Sequence, residues 1–69
     1  MNIKFAERLQ DLRLEKNMSR RNLASLLNVH PRTISYWELG QRECNLEQLA
    51  NIAKLFNVTT DYLLGLEII

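Results

Sequence analysis

The chain has 69 residues, of which 46% are hydrophobic and 25% are charged, and its formal net charge is +1. That length suits one small globular domain, and a single cysteine and a single histidine exclude an internal disulfide and a cluster with metal-ligand spacing. No apolar stretch approaches the ~20 residues of a membrane span or forms the core of a signal peptide, so we expect a cytoplasmic protein without metal, cofactor or membrane contact.

Asparagine and glycine residues mark where helices are expected to end. Asn17, Asn28 and Asn57 are each followed by an apolar residue and then by a polar one. Asparagine tolerates the left-handed backbone that terminates a helix, and glycine adopts it without steric cost. The same reasoning predicts helix ends at Gly40 and Gly65.

Capping residues predict where the helices begin. Ser19 and Thr59 can accept a hydrogen bond from the free N–H groups of a following helix. Pro31 suits a first helical position, although His30 before it is a poorer cap. Asn45, followed three residues later by glutamine, resembles a capping box.

Apolar residues recur at helical spacing between these boundaries, and no segment alternates with period two. We therefore predict an all-α fold, a compact five-helix bundle forming one domain over residues 1–69. The predicted helices span about residues 3–16, 19–27, 31–39, 46–56 and 60–64. Only about three residues separate the second helix from the third, which fits a helix-turn-helix over about 19–39. The apolar positions are Phe5, Leu9, Leu12, Leu23, Leu27, Leu46, Leu49, Ile52, Ala53 and Phe56.

The third predicted helix has two different faces. Ile34 and Trp37 lie on one side and should enter the core, whereas Arg32 and Tyr36, four residues apart, project together beside Ser35. A guanidinium, a phenol and a hydroxyl can bind base edges and phosphates. The alternative is a plain solvated surface, which is the commoner role of arginine and tyrosine on an exposed helix face.

Charge is unevenly distributed along the chain. Residues 13–42 hold six basic and two acidic side chains, a balance of +4, and residues 43–69 hold one basic and four acidic, a balance of −3. Arg20 and Arg21 follow Ser19 at the start of the second helix, where free N–H groups already favour an anion. This placement predicts a bound phosphate, with solvated arginines as the alternative.

Residues 18–65 together resemble the helix-turn-helix domain of the Cro and phage-repressor (XRE) type, with a lambda-repressor-like fold. The resemblance covers essentially the whole chain, from about Phe5 to Gly65. It depends on the joint spacing of several motifs, none of which is specific alone. They are Leu12-Arg13, Leu23-Ala24, Thr33-Ile34-Ser35, Trp37-Glu38, Gly40, Leu46-Glu47 and Ile52-Ala53.

The resemblance implies that the third helix enters the DNA major groove, with flanking segments on the phosphates. The implied base-reading residues are Pro31, Arg32, Thr33, Ser35 and Tyr36. We expect phosphate contacts from Ser19, Arg20, Arg21, His30, Gln41, Arg42 and Asn45. The resemblance also suggests that Arg13 and Glu38 form a structural ion pair, in which case Arg13 does not contact DNA.

Four residues depart from the family pattern. Arg20 replaces a usual glutamine, which should make the phosphate contact more salt-dependent, and Asn28 replaces a usual glycine. Cys44 replaces a frequent proline, which predicts a less rigid loop. Pro31 cannot donate a hydrogen bond, so it offers only shape or an apolar contact.

The chain is thus predicted to bind double-stranded DNA sequence-specifically as a transcriptional regulator, with repression favoured over activation. A protein-interaction or antitoxin-type module on the same fold is the alternative, although such a module would not need a cationic face. Enzymatic activity is not expected, because the sequence has no Gly-rich phosphate loop and no nucleophile paired with a base.

The apolar tail over residues 66–69 bears on self-association. A homodimer, at least on DNA, would match a two-fold symmetric operator. The candidate dimer contacts are Leu63, Leu66, Ile68 and Ile69. Alternatively, the tail folds back onto Phe56 and Leu63, or it continues into a larger regulator.

Overall fold

Five α-helices and no strand occur in residues 4–66, the part of the chain that the computed structural model describes. The helices are α1 (Lys4–Glu15), α2 (Arg20–Leu27), α3 (Pro31–Glu38), α4 (Leu46–Phe56) and α5 (Thr60–Leu64). The predicted all-α, five-helix architecture is confirmed. Helix α3 packs against α2 and α1, and α5 packs against α1 and α4. None of the helices in the described part has the length and apolar character needed to cross a membrane.

All five helices described end with the same backbone motif. One or two positions past the end of each helix, a residue adopts a left-handed conformation with φ between 55° and 75°. Its N–H and that of the next residue donate back to carbonyls of the last turn; in α2, for example, Val29 N–H reaches the Ala24 carbonyl at 3.0 Å. These bonds satisfy carbonyls that a helix end leaves without partners. The left-handed residues are Asn17, Asn28, Gly40, Asn57 and Gly65, as the sequence predicts.

Side chains cap the starts of the last four helices. Ser19 and Thr59 each accept a hydrogen bond from the third backbone N–H beyond them, and Asn45 forms a reciprocal capping box with Gln48. His30 is a better cap than its residue type suggests, because its Nδ1 accepts from the Arg32 N–H at 3.0 Å. Helix α3 therefore begins at Pro31, and the His30 side chain caps its first turn.

Each helix contributes one large apolar side chain that is fully buried in the core. These five residues are Leu9, Leu23, Ile34, Ile52 and Leu63. Trp37 packs against Phe5 with the rings 6.3 Å apart and nearly perpendicular, an arrangement that aromatic pairs prefer. Because Ile34 and Trp37 are buried, the opposite face of α3 must point outwards.

Two expectations about leucines are wrong. The apolar spacing places Leu46 on the core side of α4, but it is 84% exposed, because it opens the helix one turn before the first buried residue, Leu49. Leu63, a candidate dimer contact, lies wholly in the core and has no surface to offer a partner. Leu66 is exposed, whereas Ile68 and Ile69 lie outside the described residues.

The left-handed backbone at Asn57 leads to a prediction about the stability of the fold. Replacing Asn57 by alanine should lower the free energy of unfolding by about 1 kcal/mol, because a Cβ without a local polar partner disfavours this backbone region. Asn51→Ala, on the exposed side of the same helix, should instead raise it by about 0.5 kcal/mol through helix propensity. Thermal denaturation of both variants checks this, and equal shifts would contradict the capping role.

Candidate nucleic-acid interface

The exposed side of α3 forms an open groove with the residues that flank the helix. Arg32, Thr33 and Tyr36 line it from the helix, and His30 and Arg42 line it from either end. Three of the five predicted base-reading residues are thus brought together. Pro31 and Ser35 are half-buried and do not line this groove.

Arg42 is held against the helix by an aromatic contact. Its guanidinium carbon lies 4.3 Å from the centre of the Tyr36 ring. The left-handed turn at Gly40 brings the chain back, so that Gln41 N–H donates to the Tyr36 carbonyl at 2.8 Å. A cation over an exposed ring contributes about 0.5–1 kcal/mol, enough to bias the Arg42 side chain towards the groove. Sequence reasoning placed both residues on the surface but missed their stacking.

Arg13 and Glu38 form a two-point ion pair beneath this surface. Arg13 Nε donates to Glu38 Oε2 at 2.7 Å, and its Nη2 donates to Oε1 at 3.1 Å. Its Nη1 donates to the Met18 carbonyl at 2.8 Å. The two side chains are 9% and 0% exposed. Helices α1 and α3 are therefore joined by a charged contact that faces the protein interior.

Arg20 also binds this carboxylate, which the sequence did not indicate. Its Nε donates to Glu38 Oε1 at 3.1 Å, while the side chain remains 40% exposed. One carboxylate is therefore shared by two guanidinium groups, and the three groups together carry a charge of +1. This excess charge lies at the start of α2, where the family resemblance places a phosphate contact.

The other predicted phosphate-contacting residues are accessible. Ser19, Arg21, Gln41 and Arg42 are exposed, as are His30 and Asn45. The caps use only part of each capping side chain. Ser19 Oγ accepts from Asn22 N–H at 3.0 Å, which leaves its hydroxyl hydrogen to donate. Asn45 uses its side-chain oxygen towards Gln48, which leaves its amide NH₂ group.

Cys44 offers no basis for nucleophilic chemistry. It is buried in the loop between α3 and α4. Burial raises the pKa of the Cys44 thiol above its usual value, and a backbone hydrogen bond offsets part of this effect. The thiol is consequently protonated near neutral pH and poorly nucleophilic. In residues 4–66, no group of three or more histidine, cysteine or acidic side chains is arranged to hold a metal ion.

Comparison with known proteins agrees with this geometry. A helix-turn-helix family model matches residues 9–63. The chain belongs to the XRE-type helix-turn-helix family. It is 46% identical over 63 residues to the HTH-type transcriptional activator BcrR of Enterococcus faecalis, a match that covers 91% of this chain and 31% of BcrR.

Solved structures contain the same domain. A transcriptional regulator from Listeria innocua superimposes with a TM-score of 0.86 at 34% identity, covering 94% of this chain and 61% of that one. The hydroxypropylphosphonic acid epoxidase from S. wedmorenis superimposes with a TM-score of 0.82 at 34% identity, covering 99% of this chain and 40% of the epoxidase. The helix-turn-helix chain described here thus spans only part of each relative.

The carboxylate of Glu38, shared by Arg13 and Arg20, leads to a prediction about stability. Glu38→Gln should lower the free energy of unfolding by about 3–5 kcal/mol, because the nearly buried Arg13 guanidinium loses its counter-charge. Glu15→Gln, at an exposed acidic residue near the end of α1, should change it by less than about 0.5 kcal/mol. Thermal and urea unfolding of both variants measure this, and matching stabilities would mean that Glu38 carries no structural charge pair.

Proposed function

We propose that this chain is a sequence-specific double-stranded DNA-binding domain of a transcriptional regulator, without catalytic activity or a cofactor. The observation that carries this proposal is the cationic groove along α3, with Arg32 at the N-terminal end of the helix and Arg42 held over Tyr36. In helix-turn-helix proteins, the N-terminal residues of the second helix meet base edges in the major groove. Helix α3 occupies that position here.

The start of α2 supports the same orientation on DNA. The first helix of the motif crosses the sugar-phosphate backbone. In this chain the N-terminal end of α2 presents Arg20 and Arg21, together with the Ser19 hydroxyl and the backbone N–H groups near it. Arginine guanidinium groups and helix N-termini are common phosphate ligands. Base reading by α3 and phosphate binding by α2 are therefore compatible in one docked arrangement.

The sign of regulation depends on where the bound site lies relative to a promoter, so the same domain can serve repression or activation. The relative BcrR is named an activator, which removes the reason to favour repression. A protein-interaction or antitoxin-type module would use the same fold, but it would not require two guanidinium groups around one open groove.

We further propose that two copies of the domain bind a two-fold symmetric operator as a homodimer. Two half-sites one helical turn apart, ~34 Å, give a helix-turn-helix protein a longer recognition sequence than one domain can read. Among the candidate dimer contacts that the structure describes, only Leu66 has exposed apolar surface. The dimer proposal is tested together with the function.

Selection from a random duplex pool tests both proposals. The protein should enrich a defined motif composed of two inverted half-sites about one helical turn apart. Arg32→Ala should enrich a motif that is less defined at one position in each half-site, while the control Lys54→Ala should reproduce the parent motif. A single unrepeated half-site would contradict the dimer, and failure to enrich any motif would contradict sequence-specific binding.

The predicted phosphate contacts have a separate signature in the salt dependence of affinity. Each phosphate contact contributes about 0.9 to the slope of log K against log salt concentration. Arg21→Ala should therefore reduce the slope on random-sequence duplex by about 0.9, whereas Lys54→Ala, an exposed cation on α4, should leave it unchanged. Fluorescence anisotropy at several salt concentrations measures both slopes, and equal slopes for the two variants would rule out a phosphate contact by Arg21.

A further inference from the structure

The side chains that line the groove along α3 are mainly hydrogen-bond donors. Its five side chains are His30, Arg32, Thr33, Tyr36 and Arg42. None of these five is a carboxylate or a carboxamide, and the two guanidinium groups can only donate. The two hydroxyl groups can donate or accept.

His30 adds another donor because of its role as a cap. Its Nδ1 accepts a hydrogen bond from the Arg32 backbone N–H, so the proton of the neutral ring is on Nε2. Nε2–H is then a donor, and the ring cannot present an acceptor to a ligand while it caps α3. Three of the five groove side chains consequently offer donors alone.

The bases differ in what they present to such a surface. Guanine exposes two acceptors, N7 and O6, in the major groove. Adenine exposes an acceptor beside an amino donor, which suits asparagine or glutamine, and cytosine exposes an amino donor, which suits a carboxylate. A donor-rich groove therefore matches guanine, since adenine or cytosine would turn an amino group towards cations.

Arg32 is the guanidinium best placed to bind that edge. It is the second residue of α3 and is exposed, and within residues 4–66 its side chain makes no hydrogen bond, ion pair or ring contact. All its donors are available for a two-point contact. Arg42, by contrast, is held over Tyr36, where it adds positive charge to the wall of the groove.

We propose that each half-site of the operator contains a guanine that Arg32 binds through N7 and O6, and that Arg32 is the main specificity-determining residue of the domain. This proposal rests on the DNA-binding function proposed above. It adds the identity of a base and the atoms through which that base is recognised.

The test uses the duplex obtained by selection and a set of modified bases. Replacing the half-site dG by dA, with its partner changed to dT, should weaken binding about 5- to 150-fold. Replacing it by 7-deaza-dG, which keeps Watson–Crick pairing and O6 but lacks the N7 acceptor, should weaken binding about fivefold. 7-Deaza-dA at a neighbouring adenine is the control and should change the affinity by less than about twofold.

Protein variants assign the effect to Arg32. Arg32→Ala should bind the dG and 7-deaza-dG duplexes equally, because the group that senses N7 is gone. Arg32→Lys should retain attraction to phosphate but lose most of the preference for dG over dA, since it lacks the planar fork. Arg21→Ala should bind both duplexes more weakly while keeping the fivefold ratio between them. Melting temperatures establish that the variants are folded.

A selected motif without guanine, or a 7-deaza-dG effect that persists in Arg32→Ala, would overturn guanine reading by Arg32 while leaving sequence-specific DNA binding intact. A pool that yields no enriched motif would overturn both proposals. Enrichment of a guanine-containing motif with loss of discrimination only in the Arg32 variants is the result that supports the inference.

Discussion

The Glu38 carboxylate is the contact on which the arrangement of the first three helices depends. It belongs to α3, receives two hydrogen bonds from Arg13 of α1 and receives a third from Arg20 of α2. A fully buried carboxylate is stable only when its oxygens are bonded and its charge is compensated. Glu38 meets this requirement with partners from two other helices. Its carboxylate therefore links the positions of α1, α2 and α3.

The same contact extends from the core to the surface. Arg13 lies almost entirely inside, while Arg20 is two-fifths exposed at the start of α2. Glu38 also follows directly after Trp37, whose burial sets the rotation of α3 about its axis. The outward direction of Arg32 is thus a consequence of what the opposite face of the helix packs against. The proposed DNA-reading surface therefore shares its supports with the core.

Local chemistry made most of the fold predictable, and long-range contacts account for what was missed. Asparagine at Asn57 stops a helix through its own backbone preference, so the sequence alone shows it. The Arg20 contact with Glu38 joins residues 18 positions apart, and no helical periodicity relates them. Leu46 obeys the spacing of α4 yet is exposed, because it is the first residue of the helix and precedes the first buried residue by one turn. All five residues that line the groove along α3 were among the candidates named from the sequence, whereas the partners of each residue required the tertiary structure.

Amide chemical-shift changes in ¹⁵N-labelled protein, titrated with the selected duplex, test whether α3 and the start of α2 contact DNA. We expect the largest changes over residues 19–21, 32–36 and 41–42, with small changes around Lys54 in α4. The side-chain Nε–H signal of Arg20 should move on binding, whereas that of Arg13 should not, since Arg13 faces the interior. Changes centred on α4 and α5, with α3 unaffected, would contradict the proposed interface.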